Sequence, residues 1–257
     1  MLKRLFVALL FAGCALPAFA TDYSDMWYVP AESGWGVNFT QNADILFMTF
    51  FVYDQGGKPT WYVAITSADA NGNFSGTLYS TVGTYFGSPW NPSAWAPTAA
   101  GTASFTPVNA AQGSLTYTLN NGPTVTKSIV RQTLVTVDLT GNYTGGQAGG
   151  YSGCSDPSND FLYKDTFDLQ VQQTGSSVSF GFSYNGLGES CTLSGTLVQT
   201  GQLYSITSGT YQCQDGLSTS VNLFEIKKTS LGIEGRFSAP VGGNCQEDAS
   251  FSAVDLQ

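Results

Sequence analysis

The chain has 257 residues, with nine Lys or Arg against 18 Asp or Glu, a formal charge of −9, and no histidine. An acid balance of this size opposes nucleic acid and anionic membrane surfaces as partners, because both are gripped by basic patches. The lack of histidine excludes Ser-His-Asp and Cys-His catalysis and the HExxH zinc hydrolases.

Residues 1–20 read MLKRLFVALLFAGCALPAFA. Lys3 and Arg4 precede an apolar run from Leu5 to Leu16, and Ala18-Phe19-Ala20 is a small-x-small cleavage motif. The pattern predicts a Sec-type signal peptide and a periplasmic or extracellular protein of a Gram-negative cell. The alternative is a lipid anchor on Cys14, although Phe11 stands where such a motif usually carries Leu. No other stretch approaches the length of a transmembrane helix.

Past the leader the periodicity is that of short strands punctuated by Gly, Asn and Pro, with no helical pattern. The expected fold is all-β, with two antiparallel barrel or barrel-like meander domains over 21–135 and 136–257. In the first, strands are predicted at Trp35–Gln41, Ile45–Tyr53, Trp61–Thr66, Phe74–Ser80, Thr102–Val108, Ser114–Leu119 and Thr124–Arg131. The second and third of these are almost continuously apolar, which predicts cover on both faces. Asp69-Ala70-Asn71-Gly72-Asn73 opens like a calcium loop. Phe74 and Ser80 stand where such a loop needs Gly and Glu, so a hairpin turn is expected.

The second half alternates more cleanly. Phe167, Leu169 and Val171 oppose Asp168, Gln170 and Gln172, and Val178, Phe180, Phe182 and Tyr184 continue the pattern. Further strands are expected at Leu139–Thr144, Cys191–Val198, Leu203–Cys213, Ser220–Lys227, Leu231–Ser238 and Gln246–Val254, completing an eight-stranded up-and-down barrel. Four of the five cysteines, Cys154, Cys191, Cys213 and Cys245, lie here. In an exported chain they predict two disulfides. Alternating strand direction places all four at one end of the barrel. Neighbour geometry favours Cys191–Cys213 with Cys154–Cys245, while Cys154–Cys191 with Cys213–Cys245 stays open. SGTL at 75–78 and 194–197 is a faint trace of duplication.

Candidate chemistry is sparse. Glu32 and Asp54 are the carboxylates a glycosidase could use, but both sit beside turn residues. Lys127-Ser128 is not a dyad, since neighbours along a strand face opposite ways. No C-x-x-C pair, P-loop or dinucleotide fingerprint occurs, so neither a metal nor a cofactor is expected. The segment Gly83–Ala100, GTYFGSPWNPSAWAPTAA, is a long connection without strand pattern. Its Tyr85, Phe86, Trp90 and Trp95, with Trp35 and Trp61, form the candidate ligand-binding set. The competing reading, which sequence favours, is a hydrophobic plug folded over a barrel mouth.

ESGWGVNFTQ, FFVYDQGGKPTWYV, GTLYSTVG and TVTKSIVRQ resemble a recurring domain of uncharacterised exported proteobacterial proteins, over about residues 27–133. CTLSGTLVQTG, GTYQC and FEIKKTSLGIEGRF resemble a Cys-containing all-β module found with it, calycin- or avidin-like in architecture. The resemblance implies export and domain limits and no catalytic residues. The function expected is a non-catalytic binding module for a glycan, a peptide or a small apolar ligand. The alternative is a structural or interaction protein of the cell envelope, adhesin- or inhibitor-like, and a carboxylate-dependent glycosidase ranks last.

Overall fold

A computed structural model describes residues 21–256; the predicted leader, Cys14 included, lies outside the described residues. Two closed barrels of eight strands follow one another along the chain, each an antiparallel meander. The first comprises β1 (Asp25–Tyr28), β2 (Gly36–Asn42), β3 (Ile45–Tyr53), β4 (Pro59–Ala68), β5 (Phe74–Val82), β6 (Ala96–Asn109), β7 (Gln112–Leu119) and β8 (Thr124–Arg131). Period-two alternation turns Trp27, Val37, Phe39, Met48, Ala64, Leu78, Phe105 and Leu115 inward, and these residues are fully buried. Trp27, Phe39 and Phe105 pack with ring centroids 4.8 to 5.5 Å apart. This interior is filled by side chains, as expected for a barrel of eight strands.

The strand that sequence reading missed is β1. It has only four residues, DMWY, and its inward positions alternate a carboxylate with an indole. It nevertheless closes the barrel by pairing with both β2 and β8.

The second barrel comprises β9 (Gly141–Ser152), β10 (Phe161–Thr174), β11 (Ser177–Tyr184), β12 (Ser190–Thr200), β13 (Leu203–Cys213), β14 (Ser218–Lys228), β15 (Gly232–Pro240) and β16 (Gln246–Asp255), with β16 returning to β9. β9 runs well past the predicted strand, through GGQAGG. Those glycines are sites of close approach. A Cβ on Gly145 would lie 2.1 Å from the Ser252 carbonyl oxygen, and one on Gly149 would lie 2.8 Å from the Tyr163 hydroxyl. SGTL falls on β5, the fifth strand of its barrel, and on β12, the fourth of its own, so the two copies run in opposite directions and are not equivalent.

The disulfides are Cys154–Cys245 and Cys191–Cys213, the first of the two pairings weighed above. Cys191 and Cys213 face each other directly across β12 and β13. All four sulfurs sit at the same end of the barrel, and the two bonds are compatible with an oxidising, exported location.

The opposite end of the second barrel meets the first. The β12–β13 turn carries Gly201 and Gln202, which contact the end of the first barrel where Asp25 and Arg131 lie. The Gln202 amide and side chain donate to Asp25 at 3.1 and 3.2 Å, and Gly201 N donates to Thr133 Oγ1 at 3.0 Å. Residues 132–140 link the barrels without strand structure. Each barrel therefore has a proximal end at the junction and a distal end away from it. Among the described residues no helix is long and apolar enough to cross a membrane.

Candidate functional site

The distal end of the first barrel collects the residues singled out in sequence. Inward alternation along β8 runs Val125, Lys127, Ile129, Arg131, which places a lysine inside the wall near this end. Lys127 Nζ donates to both oxygens of Glu32, at 2.8 and 2.7 Å, and Trp35 Nε1 donates to Glu32 Oε2 at 3.0 Å. Lys127 also lies 5.9 Å from the Trp35 ring centroid. Trp35, Val52, Tyr62, Tyr117 and Leu119 pack on the core beneath. The Lys127 hydrogen bond, helped by that from Trp35, holds the Glu32 carboxyl below the usual carboxylate range. Such a group is an ion-pair partner and is poorly matched to donating a proton. Asp54 Oδ1 accepts from the Gly56 and Lys58 amides at 2.8 and 2.9 Å, capping its own turn. Asp69 does the same for Asn71 and Asn73, as the hairpin reading expects.

The loop between β5 and β6 overturns the plug reading. Tyr85, Phe86, Trp90 and Trp95 are 77, 103, 68 and 55% exposed, so their rings face solvent and do not fold into the barrel mouth. The loop is held by its own polar contacts. Thr84 Oγ1 donates to the Asn91 carbonyl oxygen at 3.0 Å and accepts from the Asn91 amide at 2.9 Å. Asn91 Oδ1 accepts from Ser93 N at 3.0 Å.

A second expectation also fails, that β3 and β4 are covered on both faces. Their outward residues Phe47, Phe51, Tyr53, Trp61 and Ile65 are all exposed. Phe51 lies opposite Trp61, and Phe47 opposite Ile65, so the rings and aliphatic groups form one sheet surface. Beside it, Val63 pairs with Tyr79 and Tyr79 with Ala99. The candidate set therefore divides. Trp35 is an inward residue held to Glu32. Trp61 stands on the outer wall, and the loop rings project at the same distal end, beyond Val82. No Asp, Glu, Lys or Arg occurs between Asp69 and Lys127, so β5, the loop, β6 and β7 carry no charged side chain.

The distal end of the second barrel holds a group that sequence reading did not mark. Glu247 is the first inward residue of β16 and its side chain is buried. Tyr163 donates to Glu247 Oε1 at 2.5 Å, while Oε2 has no hydrogen-bond partner among the described residues. Burial pushes the Glu247 carboxyl above the usual carboxylate range, opposed by the hydroxyls of Tyr163, Tyr211 and Tyr151 that face it. Alternation along β16, with Glu247, Ala249, Phe251 and Ala253 on one face, is the signal that identifies this glutamate as inward.

Comparison with protein-family models and with curated proteins returns no match for this chain.

Proposed function

We propose that this is an exported, non-catalytic binding protein whose first barrel holds a neutral glycan against its exposed aromatic surface. The observation that carries the reading is the concentration of solvent-facing rings at one end of one barrel: Phe51, Tyr53 and Trp61 on the sheet, and Tyr85, Phe86, Trp90 and Trp95 on the loop. An exposed Phe forgoes about 1.5 to 3 kcal/mol of burial, and contiguous exposed apolar surface on a soluble domain usually marks an interaction site.

The chemistry of the patch favours a sugar polymer over a small apolar molecule. A pyranose presents C–H groups on its face and hydroxyls at its edge. Flat rings meet the face, and neutral hydrogen-bonding side chains meet the edge. Thr49, Thr77, Thr81 and Asn91 supply the second kind of group on or beside these strands. The surface is open and convex, which suits a polymer that lies along it. The uncharged stretch from β5 through β7 gives no complement to an acidic or basic ligand. The ion pair that occupies Glu32 supports a binding role over a glycosidase.

Affinity electrophoresis through neutral polysaccharides tests this. The native protein should be retarded by at least one of them, and Trp61→Ala with Trp95→Ala should weaken that retardation about tenfold or more, since aromatic anchors dominate such contacts. Both rings are exposed, so the double variant should keep its fold. Equal retardation of native and double variant would remove the patch as the site.

A further inference from the structure

We propose that the distal mouth of the second barrel is a separate binding site for a small organic cation, an alkylammonium or quaternary ammonium group, seated on the Glu247 carboxylate between tyrosine rings. Glu247 is 2% exposed and lies within the barrel beside Ala239 of β15 and Tyr151 of β9, its register partners on either side. Oε1 is satisfied by Tyr163 and Oε2 has no partner among the described residues. A buried polar atom of this kind is uncommon, and leaving it unpaired is destabilising, more so for a charged group.

Among the described residues no cation is paired with Glu247. Lys164 faces outward between Tyr163 and Asp165 and is exposed. Lys227 pairs with Asp22, and Arg236 pairs with Glu225. Lys228 donates to the Asp138 and Thr140 carbonyl oxygens at the proximal end. The remaining charges near the mouth are negative. Asp165 is the next inward residue after Tyr163 on β10 and is half-buried, and Asp215 lies in the β13–β14 turn at the same end. Both add to the field felt by the mouth tyrosines.

The walls suit an organic cation better than a metal ion. Tyr211 and Tyr184 are buried, and Tyr163 and Tyr151 are partly exposed at the rim. Tyr151 packs between Phe161 and Tyr163 with tilted rings, the centroids 5.1 and 5.5 Å away. Tyr184 donates to Gln147 Oε1 at 3.4 Å, which turns its hydroxyl across the barrel toward β9. Aromatic faces attract a cation through their quadrupole, more strongly when it is desolvated. Among the described residues no group of three or more carboxylates or cysteines is placed to hold a metal ion. An organic cation adds the positive charge that the mouth lacks, and an alkylammonium also brings an N–H donor for Oε2. The Cys154–Cys245 and Cys191–Cys213 bonds hold β9, β16, β12 and β13 together around this opening, keeping its walls fixed before a ligand arrives.

Isothermal titration at pH 7 with tetramethylammonium chloride and with butylammonium chloride tests the site, using the full chain with both disulfides formed. The native protein should bind at least one of the two. Glu247→Gln, which keeps size and shape, should weaken that affinity about tenfold or more. Asp165→Asn changes a partly exposed carboxylate and keeps its size and shape. It should weaken binding by a smaller factor and lessen its salt dependence, so the proposal remains testable if Glu247→Gln fails to fold. Trp61→Ala with Trp95→Ala should leave cation binding unchanged, which separates this site from the aromatic patch of the first barrel. No heat from either cation, or equal affinity in native protein and both carboxamide variants, would overturn the proposal.

Discussion

Replacing Asp25 by Ala removes the group on which the two barrels are joined. Asp25 and Arg131 are inward residues of β1 and β8, their side chains each only 2% exposed, with Nη1 and Oδ2 3.2 Å apart. The same carboxylate accepts from the Met26 amide at 2.8 Å and from the backbone and side chain of Gln202 in the second barrel. Arg131 would keep its hydrogen bonds to the carbonyl oxygens of Ala110, Ser24 and Asp22, and its guanidinium would still lie 5.1 Å from the Trp27 ring. Its charge would then be buried without the carboxylate that is hydrogen-bonded to it, leaving Asp22 and Glu225 as more distant partners. Breaking a buried pair from one side costs about 3 to 5 kcal/mol, which at about 4 °C per kcal/mol for a domain of this size lowers Tm by roughly 12 °C or more. All five tryptophans lie in the first barrel, so urea unfolding followed by tryptophan emission reads that barrel alone. Asp25→Ala with Arg131→Met should recover part of the loss, because the second change removes the stranded cation. A single variant within about 1 kcal/mol of native stability, or a double variant whose losses simply add, would refute this account.

Two further outcomes follow from the second barrel. Cys154–Cys245 spans 91 residues and Cys191–Cys213 spans 22. The chain-entropy relation gives about 4.5 and 3.5 kcal/mol for these loops, so Cys154→Ala with Cys245→Ala should lower the urea midpoint of tyrosine emission more than Cys191→Ala with Cys213→Ala. The raised pKa of Glu247 means that the folded barrel holds this proton more tightly than the unfolded chain. Its contribution is therefore fully present below about pH 4.5, the ordinary carboxyl value, and is lost as pH rises through the raised folded value. Asp165, Asp215 and Asp248 lie near the same end, and the native protein should lose stability between acid and neutral pH more steeply than Glu247→Gln does. Urea midpoints measured from pH 4 to pH 8 check this, and parallel curves for the two proteins would contradict it.

The sequence revealed the barrels wherever alternation was clean. Phe180 and Phe182, or Phe167 and Leu169, could only face inward between polar neighbours, and all are buried. It was silent where a strand's inward positions are small or charged. GGQAGG of β9 looks like a loop, yet its glycines leave space for Tyr163 and for the β16 backbone. Asp25 looks like a turn residue because its partner Arg131 lies 106 positions away. The apolar runs of β3 and β4 misled in the other direction. Continuous apolarity normally reports burial on both faces, but Phe51, Trp61 and Ile65 face solvent. Local pattern cannot distinguish a covered face from an adhesive one, because both select the same residue types. Disulfide pairing was legible only to the extent that strand direction brought four sulfurs to one end; the register of β12 on β13 decides which of them meet.

The placement of the two proposed sites follows from how the barrels join. A single eight-stranded barrel offers two ends, and here each barrel uses one of them in the contact around Asp25, Arg131 and the Gly201–Gln202 turn. The ends left free are closed by different means. The first is braced by the Glu32–Lys127–Trp35 contacts and extends outward into exposed rings. The second is bound by disulfides around the Glu247 carboxylate, whose Oε2 has no hydrogen-bond partner among the described residues. Small shifts at one mouth would have to pass through two filled interiors and the proximal junction to reach the other. Close-packed cores have few alternative arrangements to transmit such shifts. The two sites should therefore bind independently: saturating tetramethylammonium should leave polysaccharide retardation unchanged, whereas a change in it would indicate that the junction at Asp25 transmits strain between the barrels.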